Sequence, residues 1–156
     1  GNDLYMVDSL SDVLIENPGE GIDSVQSTVS FTLGANIENV ILLGAVGTNA
    51  TGNDLGNVIV GNTGSNILAG LGGADTLDGG LGTDTAIYAA SPGGVTVSLL
   101  SGTGIGSDAQ GDVLSVRREL ACDGVTAMVT HGSIGPVGQG NRLLGFATTM
   151  LIVPNS

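Results

Sequence analysis

From Asn57 onward the chain repeats one order of polar and apolar positions every nine residues. Asn57, Asn66, Asp75 and Asp84 form a column at that spacing, and two residues beyond them stand Ile59, Leu68, Leu77 and Ala86. Glycines keep the same interval at Gly61, Gly70 and Gly79, and again at Gly64, Gly73 and Gly82. Each unit therefore reads as a glycine turn, a ligand-type side chain and an apolar residue. Its turn-favouring part leaves about three residues for a strand, too few for an independent sheet. Stacking removes the difficulty, because each short strand pairs with those above and below at about 4.8 Å and the apolar column becomes a continuous core. The pattern predicts an all-β chain, a right-handed parallel β-roll or β-solenoid of stacked nonapeptide turns. If two units make one coil, Asn57 and Asp75 share one edge of the roll and Asn66 and Asp84 the other.

Outside the strict run the same order returns at looser spacing. Asp3 precedes Tyr5, Asp12 precedes Leu14, and Gly19, Gly21, Asp23 and Val25 follow in the repeat's order. Alternating apolar residues at Val29, Phe31 and Leu33 predict a strand, as do Val95, Val97 and Leu99 after a turn at Pro92 to Gly94. Asn39 with Ile41, and Asn49 with Thr51, place further ligand-type residues two positions before a strand residue. No amphipathic helix is predicted before residue 116.

Composition adds a constraint on the core. With 28 Gly, no Trp, two Phe and two Tyr, aromatic packing alone does not hold this fold. Charge adds more: residues 1–116 hold thirteen Asp and Glu and no Lys, Arg, His or Cys. Arg117, Arg118, Cys122, His131 and Arg142 all follow. We therefore place a compositional boundary near Ser115, with repeats over 1–115 and an atypical segment over 116–156. An acidic segment without basic partners disfavours nucleic acid and anionic lipid and favours cations. No apolar run reaches the roughly 18 residues of a membrane span.

Stacked carboxylates call for a cation, and the donor set selects calcium. Calcium takes six to eight oxygens and accepts backbone carbonyls as readily as carboxylates, whereas zinc prefers the His and Cys that this segment lacks. The alternative for any one Asp is a simple cap on a glycine turn. Asn57, Asn66, Asn49 and Asn39 have their own alternative, a structural ladder of amide hydrogen bonds.

GGLGTDTAI at 79–87 resembles the GGxGxDxUx nonapeptide of the repeats-in-toxin (RTX, haemolysin-type) calcium-binding family. GLGGADTLD and PGEGIDSVQ are similar, GNVIVGNTGSNILAG is partly so, and the likeness extends over roughly residues 1–114. The resemblance implies a parallel β-roll, folding driven by calcium outside the cell, and export of the unfolded chain by a type I system. It implies Asp75 and Asp84 as the foremost carboxylate ligands, then Asp23, Asp3 and Asp12, with Gly70, Gly73, Gly79 and Gly82 in the carbonyl-bearing turns. Asn57 and Asn66 depart from the family's acid, so the central sites are expected to bind weakly or to be empty.

The remaining readings are blander. Asp108 and Asp112 are expected to be solvated turn residues. No GxSxG or HExxH frames His131, Cys122 reads as an incidental thiol, and no catalysis is expected. Val58, Ile67, Thr76 and Thr85 are expected to form one flat outward column. The 116–156 segment is a cap, part of a neighbouring module or a frame-shifted tail. The chain begins within a repeat and is expected to be a piece of a larger secreted protein. The competing function is a structural or adhesive solenoid that self-associates end to end or docks on a surface.

Overall fold

The computed structural model describes residues 1–98 and 101–115, and the backbone of 149–153. The segment 116–148, with Cys122 and His131, lies outside the described residues. Among the described residues, thirteen short strands form two sheets. One sheet contains β1 (Leu4–Val7), β2 (Ser24–Ser27), β4 (Asn39–Leu42), β6 (Val58–Val60), β8 (Thr76–Asp78), β12 (Val113–Ser115), β11 (Thr103–Ile105) and β10 (Thr96–Ser98), in that spatial order. The other contains β13 (Thr149–Val153), β9 (Thr83–Ile87), β7 (Ile67–Ala69), β5 (Ala50–Thr51) and β3 (Phe31–Thr32).

Consecutive strands of the repeat alternate between the sheets, so each coil spends one unit on each face. In the strict run the register advances by two units per coil, pairing Ile59 with Leu77 and Leu68 with Ala86. Parallel pairing of this kind needs a long connection, and here the connection is the strand and two turns of the opposite face. The architecture is the predicted β-solenoid.

Register fixes what lies inside. Tyr5, Val25, Val40, Ile59, Leu77 and Leu114 occupy one inward column, each opposite the next across the ladder. Phe31, Ala50, Leu68 and Ala86 form the facing column. Val25, Val40, Ile59, Leu68, Leu77 and Ala86 are completely buried. Each fully buried Val, Leu or Ile side chain contributes about 1.5–3 kcal/mol. Tyr5 and Leu14 pack against this core half-buried. The outward positions split between the faces, Val58 opposite Thr76 on one and Ile67 opposite Thr85 on the other.

Two sequence expectations shift by a single residue. Asn39 pairs with Val58, one position beyond the ligand column, so Glu38 takes the column position and Val40, not Ile41, enters the core. Asn49 likewise lies beside Ile67, and Thr48 takes the column position. The stack also changes direction where the strict repeats end: β12 runs parallel to β8, but β11 and β10 pair antiparallel.

Candidate calcium turns

The turn before each strand carries the polar column, and its side chains point along the stack. Asp75 Oδ1 accepts the Asn57 amide at 2.8 Å, and Asp84 Oδ1 accepts the Asn66 amide at 2.9 Å. Asp23 Oδ1 accepts the Asp3 amide at 2.7 Å, and Glu38 Oε2 accepts that of Asp23 at 2.8 Å. Asp112 Oδ1 accepts the Asp75 amide at 2.9 Å. One edge therefore carries Asp3, Asp23, Glu38, Asn57, Asp75 and Asp112, and the other carries Asn66 and Asp84. Asp112 is 1 % exposed and its Oδ2 accepts the Tyr88 hydroxyl at 2.7 Å, which overturns its reading as a solvated turn residue. Its signal was the Leu114 two residues on, the same Asp-x-apolar order as the repeats. Asp12 joins neither column: it is exposed, and its carboxylate caps the local turn by accepting the amides of Asp8 and Ser9.

The turns come in two kinds. In 52–57 and 61–66 an asparagine pair closes the turn internally. Asn57 Oδ1 accepts the Asn53 amide at 2.8 Å and Asn66 Oδ1 accepts the Asn62 amide at 2.9 Å. The side-chain NH₂ groups then donate to carbonyls of the preceding coil, Asn53 to Gly34 and Ile37, Asn62 to Leu43 and Val46, Asn57 to Glu38 and Asn66 to Thr48. Asn57 and Asn66 thus have both amide ends occupied by protein.

In 18–23, 70–75 and 79–84 the corresponding positions carry no amide. The backbone instead turns left-handed twice, at Gly19 and Gly21, at Leu71 and Gly73, and at Gly80 and Gly82. This brings the turn close over the coil beneath: a Cβ on Gly73 would overlap the Leu55 carbonyl oxygen, and one on Gly82 would lie 2.7 Å from that of Gly64. Gly70 and Gly79 lie against the acids of their own turns. A Cβ on Gly70 would overlap Asp75 Oδ2, and one on Gly79 would lie 2.5 Å from Asp84 Oδ2.

These acids are buried without a positive partner among the described residues. Asp23 and Asp75 are 0 % and 1 % exposed, and the Oδ2 of each has no hydrogen-bond donor. Burial pushes the Asp75 carboxyl up to about 7; the Asn57 amide opposes this, and the neighbouring Asp112 charge adds to it. Burial likewise pushes Asp84 up to about 6. An orphaned, desolvated carboxylate oxygen costs several kcal/mol unless neutralised. A calcium ion fits this donor set, since carboxylate oxygens and glycine-turn carbonyls are its ordinary ligands and no nitrogen or sulfur donor intervenes.

Fold and turns together define a β-solenoid built from nine-residue calcium-binding repeats. Residues 51–86 match the model of the RTX calcium-binding nonapeptide repeat in four copies, and this part of the chain is therefore RTX repeat. The chain is also similar to endo-1,3-1,4-beta-glycanase ExsH of Rhizobium meliloti (strain 1021), with 39% identity over 59 residues, 38% of this chain. Those residues span only 12% of that protein. No solved structure matches the chain.

Proposed function

We propose that this chain is a calcium-gated β-roll module of a secreted protein, with calcium held at the 70–75 and 79–84 turns. The buried Oδ2 of Asp75, which no donor reaches, carries this reading. Asp75 and Asp84 supply charge, and the turns containing Gly70, Gly73, Gly79 and Gly82 supply backbone carbonyls. When bound, the ion neutralises carboxylates that otherwise repel along the stack. The chain's own contribution is the rest: Oδ1 of each acid ties its coil to the one before, and glycines let the turns approach. The Asn53–Asn57 and Asn62–Asn66 turns do with amide hydrogens what the acid turns do with a cation, so Asn57 and Asn66 act as structural rungs.

Low-calcium conditions inside a cell would leave the acid turns open and the chain exportable. Millimolar calcium outside would close them, in keeping with the 10⁻⁴ to 10⁻³ M affinities of extracellular modules. We place the module outside the cell, exported by a type I route as part of a longer protein, and assign it no catalysis. Circular dichroism during calcium titration tests the reading. β signal should grow with calcium and reverse with chelator, and a signal indifferent to both would sink it.

The adhesive reading has one observation in its favour. Among the described residues β1 pairs with β2 alone, and its Leu4 and Met6 are 60% and 65% exposed. Concentration-dependent sedimentation with calcium present would support it.

A further inference from the structure

Outside the matched repeats, three carboxylates from separate parts of the chain meet at the first coil. Asp3, Glu16 and Asp23 each offer an oxygen, and these oxygens all lie within 4.8 Å of one another. Asp3 immediately precedes β1, Asp23 immediately precedes β2, and Glu16 comes from the loop between them, at a position the repeat does not assign. Three like charges at such separation repel strongly unless something neutralises them. The Gly1 ammonium lies 3.7 Å from Asp3 Oδ2, and no Lys, Arg or His occurs in residues 1–116 to offset Glu16 and Asp23.

The hydrogen bonds around the trio leave one buried carboxylate oxygen without a donor. Asp23 Oδ1 is taken by the Asp3 amide, while its Oδ2 is buried and reached by no donor, in a side chain 0 % exposed. Glu16 is 9% exposed, and its Oε2 accepts the Tyr5 hydroxyl from the inward column of β1. Asn36 Nδ2 holds the Glu16 carbonyl at 2.9 Å, so the loop is anchored from two sides with its carboxylate directed inward. The carboxylate therefore has a reason to be there that loop solvation does not supply.

We propose that Asp3, Glu16 and Asp23 form a separate divalent-cation site that clasps the 8–17 loop onto the first coil, with calcium as the fitting ion. The site differs from the turns of the matched repeats in kind. It gathers three carboxylates, one of them from a loop outside the repeat, where each of those turns contributes one acid amid carbonyls. It also places a tyrosine hydroxyl on one ligand, within range of any ion bound there. The inference stands independently of calcium at Asp75 and Asp84.

Terbium, an oxygen-seeking stand-in for calcium that tyrosine excitation sensitises, gives a direct test. The chain has two tyrosines, Tyr5 and Tyr88, and no tryptophan. Terbium emission excited through tyrosine should contain a component, displaced by calcium, that is lost in Tyr5→Phe and at least tenfold weaker in affinity in Glu16→Gln. The same component should survive the Asp75→Asn/Asp84→Asn double variant, which separates this site from the repeat turns. Tyr5→Phe keeps every carboxylate, so it decides the matter if Glu16→Gln lacks β signal. Emission unchanged in Tyr5→Phe, or lost with the double variant while circular dichroism still shows β structure, would overturn the proposal.

Discussion

Asp75 accepts the backbone amide of Asn57 through Oδ1 and buries Oδ2 with no donor, so a single carboxylate both joins two coils and holds an open valence. Asparagine at the same position would keep the first role and fill the second differently. In Asp75→Asn the amide can donate to the preceding coil, as Asn57 donates to the Glu38 carbonyl. Without calcium this variant should be more stable than the parent by about 1–3 kcal/mol, the cost of an unsatisfied buried polar group. With calcium it should gain less than the parent. Thermal melts with and without chelator check both signs, and a variant less stable in each condition would count against the argument.

Acidity should act on the metal-free and calcium-loaded forms in opposite directions. Burial raises the carboxyls of Asp75 and Asp84 to about 7 and about 6, whereas the unfolded chain ionises near an ordinary carboxylate value of about 3.9. The contribution of these two carboxyls to the metal-free fold is therefore full below about pH 4 and is lost progressively as pH rises toward 7. Calcium competes with those protons, so its apparent affinity should climb roughly tenfold or more between pH 5 and pH 7.5. Isothermal titration across this range, alongside melts in chelator, reads both trends.

Gly70 permits the approach of Asp75 Oδ2, where a Cβ would overlap that oxygen. Gly70→Ala should push the carboxylate out of its site or separate the coils. A loss of more than about 2 kcal/mol is expected, in the range of overpacking. Calcium response should fall with it, whereas Gly94→Ala, where a Cβ meets nothing within 4 Å, should change neither. Paired melts of the two variants make the comparison.

Leu71 stands in the left-handed region at φ 70°, where the next acid turn has Gly80 at φ 81°. A side chain there costs about 1–2 kcal/mol, and glycine's extra freedom in the unfolded chain returns about 0.5–1 of it. Leu71→Gly should therefore stabilise the calcium-bound roll by up to about 1.5 kcal/mol. Leu71→Ala, which keeps the Cβ, should not. Calcium-saturated denaturant titrations of both variants distinguish strain from lost contact.

The nine-residue comb made the inward columns at Ile59, Leu68, Leu77 and Ala86 legible, because one spacing determines both face and depth. Legibility failed where spacing broke. Asp23 to Glu38 covers fifteen residues, so the spacing does not separate Glu38 from Asn39 as the ligand position. Asp112 is separated from Asp75 by 37 positions, with the antiparallel pair β10–β11 between them, and no period reaches across. The two turn types were hidden for another reason. Residue preference does not announce that Leu71 turns left-handed, or that Asn53 and Asn62 donate amides downward. Glu16 is invisible in the sequence because the repeat order marks Asp12 in that loop instead, and only folding brings Glu16 to Asp3 and Asp23.

The alternation of units between two sheets also limits how such a chain can be lengthened over evolution. Duplicating one nine-residue unit would send every later strand to the opposite face. Asp112 would then no longer lie above Asp75, and the reversal at β11 would begin on the wrong sheet. A duplication of eighteen residues leaves all downstream partners in place. Copy number in this lineage should therefore drift in even steps, with odd insertions purged unless a loop such as 8–17 absorbs the difference.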